Sequence, residues 1–92
     1  MTATKFSLGQ IVATPGAIEA MQESGQAADF FLDQHHAGNW GIVDAEDWQL
    51  NDTALVDGDR LLSAYMTLKG VKLWIITEHD RSVTTILLPS DY

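Results

Sequence analysis

Cysteine is absent from this 92-residue chain, which excludes disulfides, thiolate nucleophiles, iron–sulfur clusters and Cys-ligated zinc together. Positive charge is scarce. Five Lys and Arg stand against thirteen Asp and Glu, a formal net charge of −8, so the average field repels nucleic acid and anionic membrane surfaces. Proline and glycine are few, at two and seven residues, and with 46% apolar content this excludes collagen-like repeats and wholesale disorder. No apolar run approaches the roughly 20 residues that span a bilayer, and neither the basic start nor the apolar stretch of a signal peptide occurs. The expectation is a cytoplasmic protein with one core, folded as a single domain over residues 1–92. Gly-rich phosphate loops, nucleophile elbows, dinucleotide fingerprints and calcium loops are also missing, so no cofactor is expected.

The residues that are present divide into a helical and an extended half. After an extended stretch from Phe6 to Ala13, Thr14-Pro15 offers an N-cap followed by Pro at the first helical position, and Gly25 can end that helix in the left-handed conformation. A second helix is predicted from about Gln26 to His36, with Phe31 buried on either possible face. Gly38-Asn39-Trp40-Gly41 is turn chemistry around a large aromatic. Asp44 can cap a third helix over roughly residues 45–55, which Asp57-Gly58 ends.

From Arg60 onward, short runs rich in Leu, Ile, Val, Thr, Tyr and Trp predict three strands, Arg60–Leu68, Lys72–Glu78 and Val83–Pro89, joined as antiparallel hairpins. Leu62, Ala64, Met66 and Leu68 form an apolar face that the helices are expected to cover, and Leu61, Ser63, Tyr65 and Thr67 form an amphipathic one. The Leu-Trp-Ile-Ile run marks the central strand. The fold class is therefore α+β: two or three short N-terminal helices packed on a C-terminal antiparallel meander of three strands, with the N-terminal segment a candidate fourth.

Acidic residues concentrate between Asp44 and Asp59, where Asp44, Glu46, Asp47, Asp52, Asp57 and Asp59 occur with no Lys or Arg. Such a face either keeps a small domain soluble or attracts a basic protein by presenting carboxylates where phosphates would sit. Trp40 and Trp48 are candidate apolar anchors beside it, as is Tyr92. His35-His36 is a weak metal signal, because helical neighbours point about 100° apart and cannot readily share one ion. The expectation is no metal, with one imidazole packed beside Phe31 and the other near the negative end of its helix.

A second constellation has a chemical reading. Arg60, Ser63, Tyr65, Thr77, Arg81, Thr84 and Thr85 fall on adjacent strands, as they would in a compact ribonuclease. There His36 is the general acid/base, Arg60 or Arg81 stabilises a phosphorane, and Tyr65 or Thr84 orients the phosphate. Against this stands the shortage of cations to hold a polyanion. The structural alternative has Asp80 bonding its own turn and Arg81 pairing with Glu78 or Asp80.

Four segments, Phe6-x-Leu8-Gly9-Gln10-Ile11-Val12-Ala13-Thr14-Pro15-Gly16-Ala17, His36-Ala37-Gly38-Asn39-Trp40-Gly41, Gly58-Asp59-Arg60-Leu61-Leu62-Ser63-Ala64-Tyr65 and the run from Trp74 to Pro89, carry a resemblance that spans almost the whole chain. The chain resembles a small bacterial family labelled "plasmid-related protein", in which Asp stands at the position of Asn39 here. The resemblance implies a home on plasmids, prophages and other mobile elements, and no activity. The leading expectation is thus a non-enzymatic, acidic interaction protein of a mobile element. Its partner would be a basic host or neighbouring protein, such as a restriction or CRISPR effector, with no direct contact to nucleic acid or membrane. The small ribonuclease and a homodimeric scaffold are the two alternatives.

Overall fold

A computed structural model describes residues 6–92, which form an α+β fold of three helices and one four-stranded sheet. Strand β1 (Gln10–Ala13) precedes helices α1 (Pro15–Ser24), α2 (Ala28–His36) and α3 (Ala45–Asp57). Strands β2 (Leu61–Met66), β3 (Lys72–Thr77) and β4 (Val83–Leu87) follow, and a 3₁₀ turn over Pro89–Asp91 closes the chain. The sheet order is β1-β4-β3-β2. The meander β2-β3-β4 is antiparallel with β3 inside, as expected, but β1 joins β4 in parallel and makes the sheet mixed. The helices accordingly do not lead the chain; they form the connection from β1 to β2. A parallel pair cannot be joined by a tight turn, so the fourth strand comes from the chain segment before the helices.

Local signals account for the helix ends. The Thr14 hydroxyl accepts from the Ala17 N–H at 3.2 Å, Pro15 occupies the first turn, and Gly25 ends α1 at φ 69°. Asp44 accepts from the Asp47 N–H at 2.8 Å, and Gly58 ends α3 at φ 77°. Helix α2 starts two residues later than the sequence suggests, because Gln26 is drawn elsewhere: its side-chain oxygen accepts from the Leu68 N–H at 2.9 Å.

The sheet turns the opposite face to the helices from the one its apolar pattern predicts. Ala17, Ala20 and Met21 of α1 and Phe31 and Leu32 of α2 pack on Tyr65, Leu73, Ile75 and Ile86. Trp40, Ala54 and Leu61 form a second cluster, with Phe6, Val43, Trp48 and Leu55 against it. The helix-facing side of β2 is therefore Leu61, Ser63 and Tyr65, and the apolar alternates Leu62, Ala64 and Met66 lie on the face away from the helices, where only Ala64 is buried. The reason is chemical: Ser63, Thr77 and Thr84 on the inner face all find hydrogen-bond partners in the interior, so their burial leaves no polar atom unsatisfied.

The outer edge of β2 is closed by groups that are not strands. The Asn51 amide nitrogen donates to the Leu62 carbonyl at 2.7 Å, and the Asn51 side-chain oxygen accepts from the Leu62 N–H at 3.0 Å. One residue pair along, the Ala64 N–H donates to the Trp40 carbonyl at 3.0 Å and the Ala64 carbonyl accepts from the Ile42 N–H at 2.7 Å. Gly41, between them at φ 80°, has no room for a side chain, since a Cβ there would run into the Ala64 carbonyl and the Tyr65 ring. Asn51 is buried and acts as a one-residue strand, so Asn51→Leu, similar in volume, strands both Leu62 groups. We expect that substitution to lower unfolding stability by about 2 kcal/mol in urea titrations. A wild-type midpoint in the variant would show that Asn51 does not close this edge.

Candidate functional site

The residues with chemical potential are distributed by the fold over three separate places. The first is interior. His35 is fully buried, its Nδ1 lies 2.5 Å from the Ser63 hydroxyl and its Nε2 lies 2.8 Å from the Thr77 hydroxyl. Thr77 Oγ1 lies 2.8 Å from Thr84 Oγ1, and the Thr84 hydroxyl donates to the Leu8 carbonyl at 2.7 Å. The carbonyl at one end fixes the direction of every proton. Thr84 donates to Leu8, so Thr77 donates to Thr84, so His35 donates from Nε2 to Thr77, and Nδ1 is left to accept from Ser63. His35 is thus a neutral imidazole with its proton on Nε2. Burial is the main cause that pushes its pKa down to about 3, and the neighbouring His36 and Arg81 add to it.

His36, the expected acid/base, donates from Nε2 to the Phe6 carbonyl at 2.6 Å. The Phe6 ring stands edge-on to both imidazoles and stacks on Trp40 at 6.1 Å between centroids. The ring neighbours of the histidine pair are thus Phe6 and Trp40, whereas the sequence pattern points to Phe31.

The proposed ribonuclease set does not converge. Tyr65 and Thr84 lie buried on the inner face; the Tyr65 hydroxyl donates to the Asn39 carbonyl at 2.5 Å, and burial pushes the phenol up to about 12. Thr85, one residue on from Thr84, falls on the outer face. Arg60 is there too, exposed, with one guanidinium nitrogen 2.8 Å from the Tyr92 hydroxyl and the other 3.5 Å from Glu78. Arg81 sits in the β3–β4 turn at φ 60° and donates to three backbone carbonyls, those of Asp59 at 2.6 Å, Glu78 at 3.1 Å and Ala54 at 3.2 Å. It pairs with neither the Glu78 nor the Asp80 carboxylate. The Asp80 carboxylate does bond its own turn, accepting from the Ser82 hydroxyl and N–H, which hold its carboxyl below the usual range.

The third place is the surface of α3. Asp44, Glu46, Asp47, Asp52, Asp57 and Asp59 are all exposed, three at the start of the helix, Asp52 near its middle and two at its end. Among the described residues, Arg60–Glu78 is the only ion pair, so none of the six meets a cation within 4 Å there. The tryptophans are not projecting anchors. Trp40 has no exposed surface and donates from Nε1 to Asp52 at 3.0 Å, and Trp48 is half-buried against the second core cluster. The apolar feature beside the acids is instead a depression of about 230 Å³ lined by Asp47, Leu50, Asn51 and Leu62. The sequence pattern conceals this depression because it assigns Leu62 to the core; Leu50, off the buried stripe of α3, is the available signal.

A second depression, about 280 Å³, opens on the outer sheet face between Arg60, Glu78, Asp91 and Tyr92 over Ile76 and Leu87. Tyr92, largely exposed, covers the Trp74 ring at 5.9 Å. No helix among the described residues is long and apolar enough to cross a membrane. No protein-family model, curated protein or solved structure matches the chain.

The interior relay has a pH consequence. The unfolded chain takes up a proton on His35 near pH 6.5 and the fold only near pH 3, so within that window the unfolded state binds more protons. Stability is full above the window and falls as the pH drops through it, by up to about 1.4 kcal/mol per pH unit from this group. Asp80 and Asp91, each held below its usual range by hydrogen bonds from Ser82 and from Thr14 and Leu88 respectively, add losses at the acid end. Urea titrations at descending pH, with the His35 ring protons followed by NMR, check this; an imidazole titrating near its ordinary value in the folded state would refute it.

Proposed function

We propose that this chain is a non-enzymatic, acidic interaction protein that covers a cationic surface of another protein. The observation that carries the reading is the set of six exposed carboxylates around α3, unmatched by cations among the described residues and adjoining the depression at Leu50 and Leu62. The carboxylates supply attraction at long range and orientation on contact. The depression reverses the expected division of labour: an apolar side chain of the partner enters it, in place of a tryptophan reaching out. A surface built to grip nucleic acid has the required chemistry, with Lys and Arg spaced for phosphates and aliphatic stems between them. In the mobile-element setting that the family resemblance implies, the partner is a cytoplasmic defence effector of the restriction or CRISPR kind, and the protein is its inhibitor. The same charge argues against direct binding of RNA or DNA.

The test uses amides, which leave the fold in place. Asp44→Asn keeps a side-chain acceptor at the N-cap, and Asp52→Asn keeps an acceptor for Trp40 Nε1. The combined variant Asp44→Asn, Glu46→Gln, Asp47→Asn and Asp52→Asn is expected to weaken binding to purified DNA-binding effectors by about tenfold or more and to flatten its salt dependence. Equal affinity in the two proteins, or cleavage of RNA by the purified wild type, would reject the reading.

A further inference from the structure

The two edges of the sheet are treated differently. The β2 edge is closed by Asn51, Trp40 and Ile42, whereas β1 at the other edge has no such cover among the described residues. In its parallel ladder, Gln10 and Thr14 donate inward to the carbonyls of Ser82 and Ile86, which places Val12 inward as well. The N–H and C=O groups of Ile11 and Ala13 therefore point away from the sheet. Apart from its shortness, the strand carries no protection of its edge: Gln10-Ile11-Val12-Ala13 has no charge, no proline and no bulge, and Ile11 and Val12 are exposed.

We propose that two copies of this chain join antiparallel through β1, with a two-fold axis at Val12. The parity of the ladder selects that axis. It sets Ile11 opposite Ala13 of the second copy and Ala13 opposite its Ile11, so each pair exchanges two hydrogen bonds and all four outward groups on each strand are satisfied. Val12 then meets its own copy in the close, non-hydrogen-bonded pair, at a Cα separation of about 4.5 Å. An axis one residue earlier would satisfy only the groups of Ile11 and would place Ala13 against Gly9, whose N–H already donates to the Ser7 hydroxyl. The side chains agree with the choice, since large Ile11 lies beside small Ala13 on one face and valine meets valine on the other.

Charge placement identifies the occupant as a second copy. A net charge of −8 opposes self-association wherever acidic surfaces approach, but β1 itself is uncharged, and the densest group, six of the thirteen acidic residues, lies on or beside α3, along β2 at the far edge of the sheet. Pairing through β1 builds an eight-stranded sheet with the two α3 helices outermost, beyond β2 strands that are themselves about 34 Å apart at the ordinary strand spacing. That exceeds the screening length of about 8 Å in physiological salt several times over. An uncharged strand also offers no steering to a charged heterologous partner. The inference goes beyond the proposed function and does not depend on it.

Sedimentation equilibrium of the full chain from low micromolar to near-millimolar concentration is the primary measurement. A reversible dimer is expected, and a monomer throughout would overturn the proposal. Two variants then address the interface. Val12→Lys sets two ammonium groups against each other at the axis, and Ile11→Pro deletes an outward N–H while leaving every bond to β4. Each should raise the dimer dissociation constant by about tenfold or more while the melting transition is retained; a dimer indifferent to both would overturn the proposal. Should either variant fail to fold, the absence of native cysteine supplies a second readout. Val12→Cys should oxidise to a covalent dimer far faster than Val56→Cys, whose site on α3 is 86% exposed. Equal rates would overturn the proposal.

Discussion

The interior hydrogen-bond chain through His35 joins pieces of backbone that sequence alone leaves far apart. Ser63 lies on β2, Thr77 on β3, Thr84 on β4, and Leu8 precedes β1, so one imidazole on α2 connects to all three strands of the meander and to the start of the chain. Ser63, Thr77 and Thr84 are fully buried, and Thr77 and Thr84 each accept one hydrogen bond and donate another. A network of this kind tolerates no half measure, because a buried hydroxyl without a partner costs about 1–3 kcal/mol. The imidazole has to be neutral and of one tautomer, and the face of the sheet that carries the three hydroxyls has to turn toward α2. The inner face of the sheet is thereby selected by polar complementarity, and the apolar alternates are left outside.

This also explains which features were legible in the sequence. Thr14-Pro15, Gly25, Asp44 and Gly58 announced the helix ends because each acts through its own backbone neighbourhood. The central position of β3 was legible for a similar reason, since Leu73 to Ile76 is apolar on both faces. The orientation of the sheet was not legible. Leu62, Ala64 and Met66 look like core beside Ser63 and Tyr65, and only a histidine 28 residues away reverses the judgement. The parallel docking of β1 was likewise hidden, since four residues carry no sign of which strand they will meet.

The candidate site was legible in its charges and not in its shape. Exposure of Asp44 through Asp59 needed only composition, whereas the fate of Trp40 depended on Asp52 reaching its indole and on Gly41 admitting the chain to the β2 edge. Arg60, Arg81 and His36 share a polar character that suggested a common task. Their partners are a tyrosine and a glutamate for the first, three carbonyls for the second and one carbonyl for the third, so although Arg81 and His36 share Phe6 and Arg81 and Arg60 share Glu78, each polar group is already engaged by the fold.

The ends of α3 separate charge that serves the fold from charge that does not. Asp44, Glu46 and Asp47 sit at the positive end of the helix dipole, where a carboxylate is stabilising by about 0.3–1 kcal/mol, so they serve the fold as well as the charge of the surface. Asp57 and Asp59 sit at the negative end, where the same interaction has the opposite sign. Arg81 relieves that end by donating to the Ala54 and Asp59 carbonyls, and it does so from a left-handed backbone conformation that itself costs roughly 1–3 kcal/mol. A strained arginine is thus committed to a helix terminus that two aspartates make more negative. Local rules broken in this way are characteristic of surfaces shaped by function, and at α3 the departure completes a surface that holds six of the thirteen acidic residues and no Lys or Arg.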